Sequence, residues 1–387
     1  MNQNPRIEEA ARILGASGWR VWWHIRLPLL QPAIAAAAVL VFVFTFTSFG
    51  VVLLLGGPRF ATLEVEIYRQ TANLFNLPVA AALSLIQIVI MFTMMLIYTR
   101  LQSRITVGLV SAQAIGRSPS SLAQRLLVIL TLSFMGVMLF VPLLALLVMS
   151  FTVGGNGFNV QYFQQLGVNA RNSVLFVPPV QAIGNSLLFA VLTTVLAVIL
   201  GVLTAYIVAR RGRGWFSFLD PLFALPLAVS AATLGFGYII SFDSPPLNIR
   251  SSPLLIPVAH TLVAMPFVVR SLLPALRSIP SNLQESGRML GAEPARVWWY
   301  IEFPLISQAL LVGATFAFTV SMGEFGASLF IARPDTPTIP IVIFRLLGQP
   351  GVSNYGQALA MSTILMVVCA ACFVLIERLR AVGVGEF

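Results

Sequence analysis

The 387-residue chain is 58% hydrophobic and only 9% charged, with a mean hydropathy of +0.91. Soluble domains carry about 25% charged residues, so this chain cannot clothe a water-facing surface and reads as a polytopic membrane protein. All 23 basic residues are Arg, against 13 acidic ones, for a net charge of +10. With no Lys there is no conventional Walker A phosphate loop, Schiff-base chemistry or Lys general base. Arg scattered between apolar runs reads as a topology signal, not a nucleic-acid face.

In chain order, Met1 to Arg6 is followed by Glu8 and Glu9 rather than an apolar core, so no secretory signal is read there. Runs of about 20 apolar residues predict eight transmembrane helices, near 33–55, 79–99, 126–150, 184–209, 219–241, 254–276, 308–331 and 356–377. The runs are continuous rather than alternating, which argues against a barrel. The fold class is therefore all-α. The Ser-rich, Arg-flanked stretch 101–125 reads as a cytoplasmic linker. It separates residues 1–100, a loop plus two spans, from residues 126–387, six spans with a second loop over 280–305.

Arg placement sets the orientation. With the N-terminus inside, the inner segments hold 17 Arg and the outer segments six, namely Arg59, Arg69, Arg171, Arg250, Arg333 and Arg345. Both termini are expected in the cytoplasm.

The informative feature is an internal repeat at an offset of 276. The 26 residues from Glu9 match those from Glu285 at thirteen positions, among them Glu9/Glu285, Arg12/Arg288, Gly15/Gly291, Trp22/Trp298, Trp23/Trp299, Ile25/Ile301 and Pro28/Pro304. The offset continues through Phe49-Gly50 with Phe325-Gly326, and Arg69 with Arg345. Both copies lie on the same side with two spans after each, so the repeat is parallel, not inverted. Each copy predicts a helix–turn–helix. In the second, Ser281 is the expected N-cap and Gly291 the left-handed stop. Glu293-Pro294 restarts the helix and Pro304 is expected to end it. The Trp pairs suit an interfacial belt. The exposed amphipathic element itself invites a partner surface.

These residues resemble the E-A-A cytoplasmic loop of binding-protein-dependent ABC importer permeases. The first copy carries Glu9, Ala10, Ala11, Gly15, Ile25, Leu27 and Pro28. The second carries Glu285, Ser286, Gly287, Gly291, Ile301, Phe303 and Pro304, departing at the two alanines and the leucine. The stretches 47–57 and 323–340 make the chain similar to the fused two-half permeases of the iron(III) and thiamine import group. That resemblance implies a channel-forming inner (plasma) membrane subunit, not an enzyme, with a type I importer fold. It implies a periplasmic or extracellular solute-binding protein, and separate ABC ATPase subunits that use ATP and dock on the two loops. No cofactor or nucleic acid is expected on this chain. Iron(III) is the favoured solute and thiamine the next. The first half is expected to lack about four spans upstream of Met1, as a fragment or from a mis-assigned start codon. Self-association of two complete C-terminal halves would be one remedy.

Within the membrane, Glu324 stands about 10 Å from the outer end of its predicted span. A buried carboxylate costs about 2.5–3.5 kcal/mol on insertion scales. It is a candidate pathway-lining acid for a cationic substrate, against a plain helix contact or a pair with Arg333. Gly323 and Gly326 flank it and would permit close helix approach, and Ser48 is its counterpart in the first half. His24 and His260 stand alone in the sequence. Cys369 and Cys372 form a C-x-x-C inside an apolar run, and no metal site is read from them. A secondary transporter would show inverted repeats and several midplane acids. A membrane enzyme would show residues converging on one site. A non-transporting truncated remnant is the remaining alternative.

Overall fold

The structure is a computed structural model that describes residues 10, 11, 13–106, 121–155, 157–168, 175–210, 229–242, 249–250 and 252–382. All regular elements among them are helical. In chain order they are α1 (Gly18–Phe46), α2 (Phe49–Leu55), α3 (Leu63–Tyr68), α4 (Leu77–Thr106), α5 (Leu122–Thr152), α6 (Gln161–Gln165) and α7 (Pro179–Arg210). They continue with α8 (Ala231–Ser241), α9 (Leu255–Ser278), α10 (Ser281–Met289), α11 (Pro294–Gly323), α12 (Gly326–Ile331), α13 (Ile339–Leu347) and α14 (Val352–Val382). Helices dominate because lipid offers no partner for backbone N–H and C=O groups, which an α-helix satisfies within itself.

Seven of the described helices are long and apolar enough to cross a membrane. Five of the expected spans match α4, α5, α7, α9 and α14. Three expectations are corrected. The first span is not 33–55: α1 begins at Gly18, just after the turn at Gly15, and stops at Phe46. The run 308–331 is not one helix, because α11 ends at Gly323 and α12 starts at Gly326. Of the expected span 219–241, the described part is the eleven-residue α8; residues 211–228 lie outside the described residues. At the edges of the expected linker, α4 reaches Thr106 and α5 starts at Leu122; 107–120 lie outside the described residues.

The chain divides into two compact units: Met1–Ser48 with Leu85–Pro142, and Phe49–Ser84 with Leu143–Phe387. In the first, Ala36, Val43, Met91 and Met95 are buried. The most apolar stretch of α5 buries none of its residues; its all-round apolar surface suits lipid.

The second unit has a packed core. α9 lies against α7 and α11, and α7 against α11. Gly201 of α7 and Gly313 of α11 both face Val268 of α9, where an added Cβ would stand 2.6 and 3.1 Å from it. Small residues let the backbones approach, the usual solution where lipid supplies no hydrophobic drive. Ala197, Ala264, Leu272, Ile306 and Ala317 complete this layer. A second layer joins α7, α11, α13 and α14 through Ala190, Met322, Val342 and Met361. It also holds the long segment after α5: Tyr162 is buried, and its ring fills the notch at Gly356. Segment 332–338 is tied to α7 by Ile339 N–H donating to Ser186 Oγ at 2.8 Å and Asn185 Nδ2 donating to Pro337 O at 3.1 Å.

Candidate functional site

The second loop element starts at α10. Pro280 occupies its N-cap position, so Ser281 is the first helical residue rather than the cap expected from the sequence. At its end Gly291 takes φ +81°. Its N–H bonds to Arg288 O, and Ala292 N–H reaches Gly287 O, both at 3.0 Å. Together these form a Schellman stop, which needs a left-handed residue where glycine carries no Cβ penalty. The first copy repeats it: Gly15 has φ +82° and Ala16 N–H bonds to Ala11 O at 3.0 Å. Glu293 occupies the N-cap position of the next helix with Pro294 in its first turn, as expected.

The small residue of the motif has a packing role. A Cβ on Gly287 would stand 3.0 Å from Ile301 Cδ1 and 3.4 Å from Val297 Cγ2. Position 287 is thus where α10 rests on the start of α11, and a large side chain there would have to displace Ile301 and Val297. In the first copy the same place holds Ala11, which is buried, as is Val21, the partner of Val297. The opposite side is open. Met289 and Leu290 are each 89% exposed, and Ile13 and Leu14 are 86% and 88% exposed. Glu285, Ser286 and Arg288 are exposed, as is Ala10; Glu9 and Arg12 lie outside the described residues. Each element thus offers an apolar tip on a rigid glycine-closed turn.

Pro304 does not end its helix. α11 runs from Pro294 to Gly323 through a π turn at Trp298–Glu302, closed by Phe303 N–H to Trp298 O. α1 has the same turn at Trp22–Arg26, ahead of Pro28. The wider turn leaves room for the proline ring and bypasses its missing donor, so the helix continues instead of breaking. It also separates the two tryptophans. Trp298 packs edge-on against Tyr206 of α7 at 5.4 Å, while Trp299 is 60% exposed.

At the far end of α11 the helix breaks at Glu324. Its carboxylate turns back over α12, accepting from Ala327 N at 2.8 Å, Ser328 N at 3.0 Å and Ser328 Oγ at 2.9 Å. It therefore occupies the N-terminal end of α12, where unpaired N–H groups and the helix dipole favour an anion. His260 of α9 stands beside it, Nε2 to Oε2 3.1 Å. The same imidazole reaches Ser321 Oγ and Ser328 Oγ, each at 2.8 Å. Ser321 Oγ continues to Thr193 Oγ1 of α7 at 3.2 Å. His260 is 1% exposed and Glu324 6%. So His260 is not alone, and the neighbour of Glu324 is His260 rather than Arg333. Only the presence of two ionisable residues in apolar runs could have suggested the pair.

Gly326 is in tight contact: a Cβ there would stand 3.0 Å from Ala232 N of α8. Gly323 faces open space and serves no close approach. In the first half the corresponding break follows Phe46, and Ser48 Oγ donates to Thr45 O at 2.7 Å. Beyond the breaks, Phe49 stacks on Phe325 with ring centroids 5.7 Å apart. Burial raises the Tyr68 phenol above its ordinary value, and the nearby Arg345 guanidinium partly opposes this. Cys369 and Cys372 are free thiols, and the described residues contain no cluster of three or more metal-type ligands.

A family profile described as the binding-protein-dependent transport system inner membrane component matches residues 1–107. The chain is 27% identical over 382 residues to the ferric transport system permease protein FbpB of Actinobacillus pleuropneumoniae, covering 95% of this chain and 53% of that one. It is 26% identical over 383 residues to the thiamine transport system permease protein ThiP of Escherichia coli, covering 96% and 67%. Over 195 residues it is 34% identical to the molybdenum transport system permease protein ModB of Mycobacterium bovis, covering 47% and 72%. The chain thus spans about half the length of the ferric relative and two thirds of the thiamine relative. Among solved structures, a bacterial ABC transporter involved in the import of the acidic polysaccharide alginate has a TM-score of 0.52 at 18% identity, covering 66% of this chain and 94% of that one.

Proposed function

The chain belongs to the binding-protein-dependent inner-membrane permeases of ABC importers, and from that premise we propose that it passes a small solute across the plasma membrane on energy supplied by separate ATPase subunits. The observation that carries this reading is the duplicated loop element. Two copies of one glycine-closed helix each lead, through a π turn, into a transmembrane helix. A push on the exposed tip of α10 is transmitted along α11, because Gly287 locks α10 onto Val297 and Ile301. Both tips face the cytoplasm in this reading, as the Arg bias requires. The solute arrives from a binding protein on the other face.

Iron(III) is the first candidate solute and thiamine the second. The ferric and thiamine relatives align over 95% and 96% of this chain, whereas the molybdenum relative aligns over 47%. The test is mild-detergent affinity purification from native membranes, followed by mass spectrometry. An ATPase and a solute-binding protein in the eluate support the importer, and the binding protein's ligand names the solute. A bait recovered alone, with no ATP-dependent uptake, would overturn the reading.

One observation favours a second reading. A buried His–Glu pair at membrane depth is what an ion-coupled carrier would use. Uptake that survives ATP depletion but stops when the ion gradient is collapsed would select it.

A further inference from the structure

The offset of 276 pairs Phe49 with Phe325 and Tyr68 with Phe344. The structure repeats the pairing in space. Phe49 packs on Tyr68 with ring centroids 5.7 Å apart, and Phe325 on Phe344 at 5.3 Å, with interplanar angles of 64° and 56°. The two pairs are joined by the Phe49–Phe325 stack, at 5.7 Å and 22°. Equivalent residues of two repeats can touch each other only close to the axis that relates the repeats, as in any self-complementary interface. In transporters built from repeats, the repeat interface is also where the solute passes. Aromatic rings therefore fill that axis. The fit is close: a Cβ on Gly50 would stand 3.1 Å from Phe325 Cδ1. The stack lies at the opposite end of α11 from the loop element, 30 residues away, or about 45 Å at 1.5 Å per residue.

The two halves of this stack are held differently. Phe325 sits between Glu324 and Gly326, at the first turn of α12. That turn is fixed by the Glu324 carboxylate, by His260 on it, and by Gly326 pressed on Ala232. Phe49 follows Ser48, whose hydroxyl, among the described residues, is bonded within its own turn, to Thr45 O.

We propose that the Phe49–Phe325 stack is the seal of the translocation pathway on the side away from the ATPase. His260 is a positioning residue that fixes the Phe325 half through Glu324, and the Phe49 half is the one that moves. This rests on the importer reading, but the seal can be tested without the ATPase.

The full chain is reconstituted in liposomes, and chloride influx is read from quenching of a trapped quinolinium dye. Wild type is expected to hold chloride out. Phe49→Ala and Phe325→Ala should each raise influx several-fold. Phe42→Ala, which removes the exposed Phe42–Phe46 stack instead, should not. His260→Ala should leak as Phe325→Ala does, and His260→Gln, which keeps a hydrogen-bonding side chain, should restore most of the barrier. A purely structural role would give no such graded rescue. Amide exchange in α2 should be faster than in α12. A Phe325→Ala protein as tight as wild type, or a wild type as leaky as the variant, overturns the seal. Equal protection of α2 and α12 overturns the asymmetry. ATP-driven uptake with an unchanged leak would remove the seal and leave the importer standing. A leak without ATP-driven uptake would do the reverse.

Discussion

At the residue scale the sharpest constraints are two glycines separated by one turn. Gly291 sits at φ +81°, which costs an L-residue about 1–2 kcal/mol. We expect Gly291→Val to reduce ATPase stimulation and uptake strongly while membrane expression persists, and Gly291→Asn to do so less, since Asn tolerates the left-handed region. Equal activity of the valine variant and wild type in a purified complex would remove the docking role. Gly287 tests a different quantity. A Cβ there stands 3.0 Å from Ile301 Cδ1. Gly287→Leu should lift α10 from α11 and uncouple transport. Ile301→Ala in the same chain should recover part of the loss, and no recovery would show that the contact is not the cause. The left-handed glycines were legible because few residues fit such a turn and the flanking Pro and Glu mark the next helix start. The His260–Glu324 pair was not. Its members are 64 residues apart, and each alone resembles an isolated polar residue in an apolar run.

At the scale of elements, the duplicated π turn is what sequence periodicity misses. Over five residues a wider turn and an ordinary one leave the same apolar pattern, so Pro304 reads as a stop. The break at Glu324 was hidden for a related reason: the residues on both sides are apolar, and hydropathy registers no interruption. Only the carboxylate capping α12 makes the break stable. We expect Pro304→Ala to let the turn Trp298–Glu302 relax towards an ordinary helix. Removing the extra residue would rotate the preceding segment by about 100°, one residue's share of a 3.6-residue turn. Trp298 would then leave Tyr206. Slower amide exchange over 298–303 together with weaker ATPase stimulation is the expected signature. Unchanged values for both would mean that the turn only accommodates the proline.

At the scale of the whole molecule, orientation follows from Arg placement and is open to direct measurement. With Cys369 and Cys372 replaced by Ala, single cysteines at Leu290 and Phe60, both well exposed, report opposite faces. A membrane-impermeant maleimide should label Phe60→Cys in intact cells, and Leu290→Cys only after permeabilisation. The reversed pattern would invert the topology and with it the docking side. The number of spans and the parallel repeat were largely legible, because about 20 apolar residues are a physical requirement for crossing lipid. How the spans pack was not, since Gly201 and Gly313 meet at Val268 through side-chain size alone.

The unequal anchoring of the two helix breaks has a consequence for how work becomes direction. The two tips that would receive the push on the importer reading are nearly alike, Leu14-Gly15-Ala16 and Leu290-Gly291-Ala292. The two hinges are not: both have a close-packed glycine, but one is also held by a carboxylate and an imidazole, the other by a hydroxyl bonded within its own turn. Equal impulses arriving at a stiff jamb and a loose leaf move only the leaf. On the proposed reading, a symmetric engine would therefore drive a door that swings from one side.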